Sequence, residues 1–420
     1  MTLNRIGAIA VAAWSLMAGG VLAQSSDTVK IAYIDPLSGF MANVGEIGVK
    51  NFRFIIDQIN AKGGVLGGKK LELVTFDNKL SPQESLVALK AATDQGIQYI
   101  TQGNGSSVAG ALIDAVNKHN ERNPKNRVLF LNYAAVDPDF TNDKCSFWHF
   151  RFDANSDMKM EALTNMMKDD KSIKKVYLIN QDYSFGHQVA RAAKEMIGKK
   201  MPGVQIVGED LHPLAKVKDF SPYIAKMKAA DADTVITGNW GNDMSLLVKA
   251  ARDAGLGATF WTYYGGGLGT PGAIGEGGLG RIKQVTEWHN NVTNADMEAF
   301  YDAYRQKYAS DPKDEWAYYR VKNLVEMFAK SVNQAKSTDP VKVAYALEGM
   351  KYSGSLDEVV MRKEDHQLIQ PLYISTMQKK GTSGVPHDVE GSGYGFRTDR
   401  LITANDTVLP TSCKMQRPAK

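Results

Sequence analysis

The chain has 420 residues, enough for two hydrophobic cores rather than one. Its 43% hydrophobic and 23% charged content excludes a disordered or fibrous chain. Fifty basic residues face 46 acidic ones along the whole sequence, and no basic run is interleaved with aromatics, so no footprint for nucleic acid is present.

The first 23 residues have the form of a secretory signal. Arg5 supplies a positive start, 6–17 is an apolar run, and Val21-Leu22-Ala23 precedes Gln24. The run contains glycine and is shorter than the roughly 20 residues that span a bilayer, which argues against an anchor. Gln24 stands where a bacterial lipoprotein would carry Cys. The expectation is cleavage after Ala23 and a soluble monomer in the periplasm. In that oxidising compartment the two cysteines, Cys145 and Cys413, are expected to form a disulfide holding the C-terminal tail; two separate thiols are the alternative.

From Val29 onward, short apolar strands alternate with amphipathic helices, the pattern of a parallel sheet covered on both faces. Strand VKIAYI ends at Asp35-Pro36-Leu37-Ser38-Gly39. Ile47, Phe52, Ile55, Ile56 and Ile59 then recur at helical spacing up to Gly63-Gly64. After strand KLELVTFD, Ser81-Pro82-Gln83-Glu84 opens a helix with a hydroxyl cap and proline in the first turn. Next comes 98–115, QYITQGNGSSVAGALIDA: a strand, a glycine-rich turn and a hydroxyl pair starting a helix. The first N–H groups of a helix lack intrahelical partners and carry partial positive charge. Asn104, Gly105, Ser106 and Ser107 therefore suit a carboxylate-sized ligand, although a serine there can equally cap its own helix. Strand RVLFLN ends in a second such loop, Tyr133-Ala134-Ala135-Val136. The aromatic stretch 145–154, CSFWHFRFDA, reads as a crossover between lobes.

The pattern then restarts. A helix from 157, strand KVYLIN, a loop at 181–186, a helix to 199 and strand VQIVGEDL precede a helix opened by Ser221-Pro222. Strand DTVITG ends in Asn239-Trp240-Gly241-Asn242, a helix runs to Gly255, and strand TFWTYY leads into a glycine-rich loop at 265–280. Two similar halves predict an α/β protein of two doubly wound, three-layer lobes with a cleft between them. RIKQVTEWH reads as a return crossover, helices at 294–308, 315–333 and 340–347 as cover for the first lobe, and 353–360 as a third crossing to an edge strand at 371–378. The first lobe is thus 27–150 plus 286–355, the second 151–285 plus 356–380, and 381–420 an irregular tail.

Familiar chemical motifs fit poorly. GGVLGGKK at 63–70 has Lys70 where a phosphate loop needs Ser or Thr, and leaves a helix for a strand rather than the reverse. Gly267-Leu268-Gly269-Thr270-Pro271-Gly272 has dinucleotide spacing by count, but Pro271 and the glycines beyond it are not expected to form the helix that motif needs. The seven histidines show no helical metal pair, and no nucleophile elbow occurs. Neither metal nor cofactor is expected. Asp35, Asp77 and Asp182, near strand ends, suit turn and cap roles better than acid–base work.

What remains is a set of loops at strand C-termini, where open parallel sheets bind ligands. Phe40, Tyr133, Tyr183, Phe185, Trp240, Tyr263 and Tyr264 lie on them. Any one ring suits a core; seven at matching ends of both halves predict a shared cleft. With these residues in view, the chain resembles the periplasmic solute-binding proteins of branched-chain amino acid type ABC importers, the type I binding-protein fold. The likeness covers most of 27–380 and rests on KIAYIDPLSGFMANVG, DQINAKGGVLGGKKLELVTFDNKLSP, the GSS turn, AAVDPDF and YSFGHQVA. It implies two lobes joined by three crossovers that close on a small solute, do no chemistry, and hand it to inner-membrane ABC permease subunits.

In amino-acid-binding members the carboxylate is held by the turn matched here by Gly105 and Ser106 and by the loop matched by Ala134, Ala135 and Val136. Two departures stand out. Val136 occupies a position that is often Thr, and the acidic partner of the α-ammonium falls in Tyr264-Gly265-Gly266, which has no carboxylate. A buried, unpaired ammonium is costly. The expected ligand is therefore a carboxylate with an apolar or aromatic body, stacked by Phe185 and Trp240, rather than an α-amino acid. A branched-chain amino acid or amide binder, the sensing domain of a receptor and an exported hydrolase are the alternatives.

Overall fold

The computed structural model describes residues 28–308 and 318–419; the expected signal at 1–23 and the expected helix start at Glu315 lie outside them. In the first lobe β1 (Thr28–Asp35), β2 (Lys70–Asp77), β3 (Tyr99–Gln102), β4 (Leu129–Asn132) and β5 (His149–Arg151) form a parallel sheet in the order β2-β1-β3-β4-β5. β3 and β4 are buried at every residue, as central parallel strands are. α1 (Ala42–Ala61), α2 (Pro82–Asp94) and α3 (Ser106–Arg122) connect them. α2 starts as its sequence dictates, with the Ser81 hydroxyl accepting the Glu84 N–H and Pro82 in the first turn. GGVLGGKK is a turn: Gly63, Gly64, Gly67 and Gly68 all have positive φ, and the Val65 N–H donates to the Lys69 carbonyl at 2.8 Å as the chain enters β2.

The second lobe repeats the plan through α4 (Ser156–Met167), β6 (Lys175–Gln181), α5 (Ser184–Lys200), β7 (Gln205–His212), α6 (Ser221–Ala229), β8 (Thr234–Thr237), α7 (Gly241–Asp253), β9 (Thr259–Thr262), α8 (Thr270–Ile274) and β10 (Ile282–Thr286). α9 (Ala295–Lys307), α10 (Tyr319–Ala335) and α11 (Pro340–Leu347) then return to cover the first sheet, sharing a core with Phe52, Tyr99 and Leu131. β11 (Lys351–Ser353), β12 (Glu358–Met361) and β13 (Leu368–Ile369) make a small antiparallel sheet. β14 (Leu372–Lys379) and β15 (Tyr394–Ile402) rejoin the second lobe, and α12 (Ala404–Thr407) follows. The second sheet runs β15-β14-β10-β9-β8-β6-β7, antiparallel only at β14 and β15.

This is the expected α/β architecture of two doubly wound lobes, with three local corrections. Residues 353–360 do not cross between lobes; they turn back as β11 and β12, and the crossing comes after β13. The stretch 381–420 is not irregular throughout, since β15 pairs with β14 along its length, leaving β14 internal rather than at the edge. Pro271 does permit a helix, the single turn α8, because the first turn has no need of the proline N–H; Gly275, with φ +59°, ends it.

The crossings are tied to one another below the cleft. Buried Arg151 donates from Nε to Gln367 Oε1 at 2.8 Å, while Gln367 Nε2 donates to the Asp153 carbonyl at 2.7 Å and Gln370 Nε2 to that of Phe152 at 3.0 Å. Cys145 and Cys413 are bonded across 268 residues, holding the end of the chain to the first lobe. Replacing both with Ser is expected to lower unfolding free energy by about 2–5 kcal/mol through the freed denatured chain. Urea denaturation of the double variant that coincided with the wild type would contradict this.

Candidate functional site

The C-terminal edges of the two parallel sheets face each other across a cavity of about 130 Å³. From the first lobe come Asn104, Gly105 and Ser106, then Ala134, Ala135 and Val136, with Val44 from α1. The second contributes Tyr183, Phe185, Trp240, Tyr263 and Tyr264. The second lobe thus supplies a cluster of aromatic rings, and the first a set of small and aliphatic residues with Asn104 and Ser106. The lobes touch around its mouth: the Lys218 ammonium lies 3.8 Å from the centre of the Phe40 ring, and Asn43 Nδ2 donates to Asn242 Oδ1 at 3.2 Å. Met41 and Val44 press on Gly241, whose φ of +58° and lack of a side chain make the approach possible.

The helices α3, α5 and α7 begin at this cavity without a side-chain cap. Gly105 precedes α3, Tyr183 precedes α5 and Trp240 precedes α7, and none receives a capping bond. By contrast α2, α4, α9 and α11, whose starts lie elsewhere, are capped by Ser81, Asn155, Asn294 and Asp339. α6 also lacks a cap and lies away from the cavity; α1, α8 and α10 lack one too and start beside it, but in α1 the Val44 N–H goes to the Met41 carbonyl and in α10 the Arg320 N–H to Glu287. The first-turn N–H groups of α3, α5 and α7, each set carrying partial positive charge, thus border one space. Ser106 is buried at the cavity and does not cap α3. Gly105, at φ +91°, makes the turn that sets this helix start.

Four expected site residues lie outside the cavity wall. Ser107 is exposed, one position round the helix from Ser106. Phe40 sits at the lip, its carbonyl accepting from Asn242 across the gap between lobes. Gly265 donates its N–H to Thr262 Oγ1 at 2.9 Å, behind the wall that Tyr264 forms. Tyr133 is fully buried one layer beneath Asn104, whose Nδ2 donates to its hydroxyl at 2.8 Å.

Asp35 lies in that deeper layer. Its carboxylate accepts from Asn104 N–H at 2.9 Å, Gly103 N–H at 3.2 Å and the Tyr133 hydroxyl at 2.8 Å, so it braces the turn at the cavity. Complete burial pushes its pKa up to about 7 against these donors. Asp77 instead organises a turn, accepting from Leu37 N–H and Lys79 N–H, both at 2.9 Å. Asp182 pairs with His187 in the exposed surface.

Two features had no counterpart in the sequence reading. Arg320, buried on α10, lines the cavity and donates from Nη1 to Glu287 Oε1 at 2.8 Å; Lys159 from α4 meets Asp153 at 2.9 Å, and Arg320 Nε stands 3.6 Å from Asp153. Burial works against both charges of the Arg320–Glu287 pair. The carboxylates nevertheless hold the guanidinium above its ordinary range, and the two cations hold Glu287 below its own. The second feature is Glu390, from the stretch expected to be irregular, which reaches the cavity wall and accepts the Gly269 N–H at 2.6 Å. The expected absence of a carboxylate holds for Tyr264-Gly265-Gly266 but not for the cavity. The run 319–325 holds two cations, Arg320 and Lys322, both buried, and nothing in their spacing marks Arg320 as the one at the cavity; nothing local in the glycine-rich tail marks Glu390.

A cleft between two doubly wound lobes joined by three crossovers is the architecture of a solute-binding protein. The family profile described as periplasmic binding protein matches residues 28–382, and the chain belongs to that family, as a substrate-binding protein of the branched-chain amino acid type. Leu/Ile/Val-binding protein homolog 4 of Brucella melitensis biotype 1 is 33% identical over 419 residues, covering 97% of either chain. The closed crystal structure of a leucine-, isoleucine-, valine-, threonine- and alanine-binding protein from Brucella ovis has a TM-score of 0.81 and 31% identity, over 93% of this chain and 100% of that one. A solute-binding protein of an ABC transporter from Rhodopseudomonas palustris BisB5, in complex with 3,4-dihydroxybenzoic acid, shares the fold at TM-score 0.75 and 18% identity, over 90% and 98% of the two chains. Among the described residues no helix is long and apolar enough to cross a membrane.

The raised pKa of Asp35 has a definite sign in stability. The folded state holds this proton more tightly than the unfolded chain, so its contribution is complete below pH 3.8 and is lost as pH rises through about 7. The slope is at most about 1.4 kcal/mol per pH unit. Asp35→Asn, which keeps an acceptor for the two N–H groups, is expected to flatten the decline in Tm between pH 4.5 and 8 relative to wild type. Parallel Tm–pH curves for the two proteins would refute this assignment.

Proposed function

We propose that this substrate-binding component of an ABC importer captures, in the periplasm, a small carboxylate with an apolar or aromatic body, and delivers it unchanged to inner-membrane permease subunits. The observation that carries the reading is the convergence of the uncapped starts of α3, α5 and α7 on a cavity whose second-lobe wall carries aromatic rings. An anion is favoured at such N–H groups, and the Ser106 hydroxyl beside them is a further donor. The rings of Phe185 and Trp240 suit a flat or branched apolar body, and Trp240 is held in place by its indole N–H, which donates to the Tyr183 hydroxyl at 2.8 Å. Solute favours closure only to the extent that it binds the closed form better, and here the second lobe supplies the rings that closure brings down. The absence of a carboxylate at Tyr264-Gly265-Gly266 supports an acid without an α-ammonium. One observation favours an α-amino acid instead: Glu390 brings a carboxylate to the wall, and the Brucella relatives are named for such ligands.

The discriminating experiment is calorimetric titration of the mature protein with benzoate, 4-methylpentanoate and leucine, supported by thermal shifts. Binding of one or both plain acids is expected, while tight leucine binding with no response to either acid would decide for the amino acid. For the acid that binds, Ser106→Ala is expected to cost about 1.5–3 kcal/mol, the value of a hydrogen bond to a charged group. Trp240→Ala is expected to weaken it about tenfold or more through lost stacking. Unchanged affinity in both variants would remove the cavity as the binding site.

A further inference from the structure

Four ionisable side chains are buried together where the lobes join, and one of them also lines the cavity. Arg320 is only 4% exposed. Its Nη1 donates to Glu287 Oε1 at 2.8 Å, and its Nε stands 3.6 Å from Asp153, which Lys159 holds at 2.9 Å. Of the four, Arg320 alone is part of the cavity wall. Its Cζ lies 4.6 Å from the centre of the Tyr318 ring, and the Lys159 ammonium lies 4.9 Å from that of Tyr264, so the cluster backs onto two rings that line the cavity.

The partners of Arg320 meet its charge but not its hydrogen-bonding capacity. Two acids against two cations leave the cluster without net charge. A guanidinium, however, holds five N–H groups in one rigid plane. Nε is buried and, at 3.6 Å from Asp153, beyond hydrogen-bond distance; Nη2, with two N–H groups, hydrogen-bonds to no described residue. Buried donors are as a rule paired, so a donor left over on a residue of the cavity wall calls for an acceptor inside the cavity. Because the charge is already balanced, the matching group is a neutral oxygen. A second carboxylate there would face Glu287 and Asp153 as like charges.

We propose that Arg320 is a specificity-determining residue: its Nη2 donates to a neutral carbonyl oxygen on the body of the solute, so that among small carboxylates the cavity prefers those carrying a keto or amide group. This rests on the carboxylate reading above, in which the Gly105–Ser106 turn seats the acid. A site built to donate to an oxygen rejects the analogue lacking it, because the buried donor is then left unmatched.

Two matched pairs of probes test it by calorimetry on the mature protein: 4-methylpentanoate with 4-oxopentanoate, and 4-isopropylbenzoate with 4-acetylbenzoate. Within each pair a methyl branch is exchanged for a carbonyl oxygen, an acceptor with no donor. In the wild type the carbonyl member of at least one pair is expected to bind about tenfold tighter or more than its plain partner. Two variants then remove Nη2. Arg320→Lys keeps a cation beside Glu287 without a second nitrogen, and the double variant Arg320→Met with Glu287→Gln removes one charge of each sign, leaving Asp153 paired with Lys159. Each is expected to bring the ratio within that pair to about threefold or less. A structural role would weaken both members alike, so a ratio that survives in either folded variant overturns the assignment. So does a wild type that binds a plain acid and shows no preference for the carbonyl in either pair, a result that leaves the carboxylate reading standing. Binding of none of the four probes would sink that reading, and this inference with it.

Discussion

Two carboxylates and two cations are buried together where the lobes join, and the arrangement of everything above them depends on that joint. Asp153 leaves the first crossover, Glu287 the second, Lys159 comes from the second lobe and Arg320 from the cover of the first. Such a cluster is not there to add net stability, since desolvation consumes much of what the charges gain. Its effect is on geometry: separating any one member strands a charge in a dry interior. The side-chain bonds among Arg151, Gln367 and Gln370 act on the same crossovers. Together they hold two sheets with their C-terminal edges facing each other, which is the condition for a shared cavity.

Given that placement, the cavity's character follows from local structure. Parallel strands deliver their loops to one edge, and the helices that follow begin there with free N–H groups. Where Ser81, Asn155, Asn294 and Asp339 cap helices elsewhere, glycine, tyrosine and tryptophan precede α3, α5 and α7. The helix starts are left open toward the space and the rings close it. Beneath the first-lobe turn, Asp35 and Tyr133 form a buried layer that touches nothing in the cavity yet sets the position of Asn104. Site geometry thus depends on residues whose chemistry is never presented to a solute.

Function in this architecture is a matter of which groups the second lobe brings down. In the proposed reading, the first lobe offers an anion seat at the Gly105–Ser106 turn, indifferent to the rest of the ligand. Choice falls to the rings and to the few polar side chains opposite. A hairpin connection at one end of the second sheet, pinned by Asn290 and Asn291, reaches back to the cavity and brings Glu390 to its wall.

The alternation of strand and helix, the doubling of that pattern and the helix start after Gly105 were legible in the sequence, because each is written in hydrophobic period, turn residues and caps within a few positions. The rings at 183, 185, 240, 263 and 264 were legible for the same reason, since loops at matching strand ends meet whenever two such lobes face each other. Tyr133 lies off the wall because a side chain one residue along a loop can turn inward or outward, and Gly265 because its N–H is turned to Thr262; only packing decides either. Ser107 misled because a step of one residue carries a side chain about 100° round a helix. The third crossing, the pairing of β15 and the arrival of Arg320 and Glu390 depended on contacts between separate segments of the chain, 33 positions apart for Arg320 and Glu287 and 216 for Arg151 and Gln367. Nothing in a local pattern records which distant segment will bury a given edge or charge, so tertiary structure alone decided them.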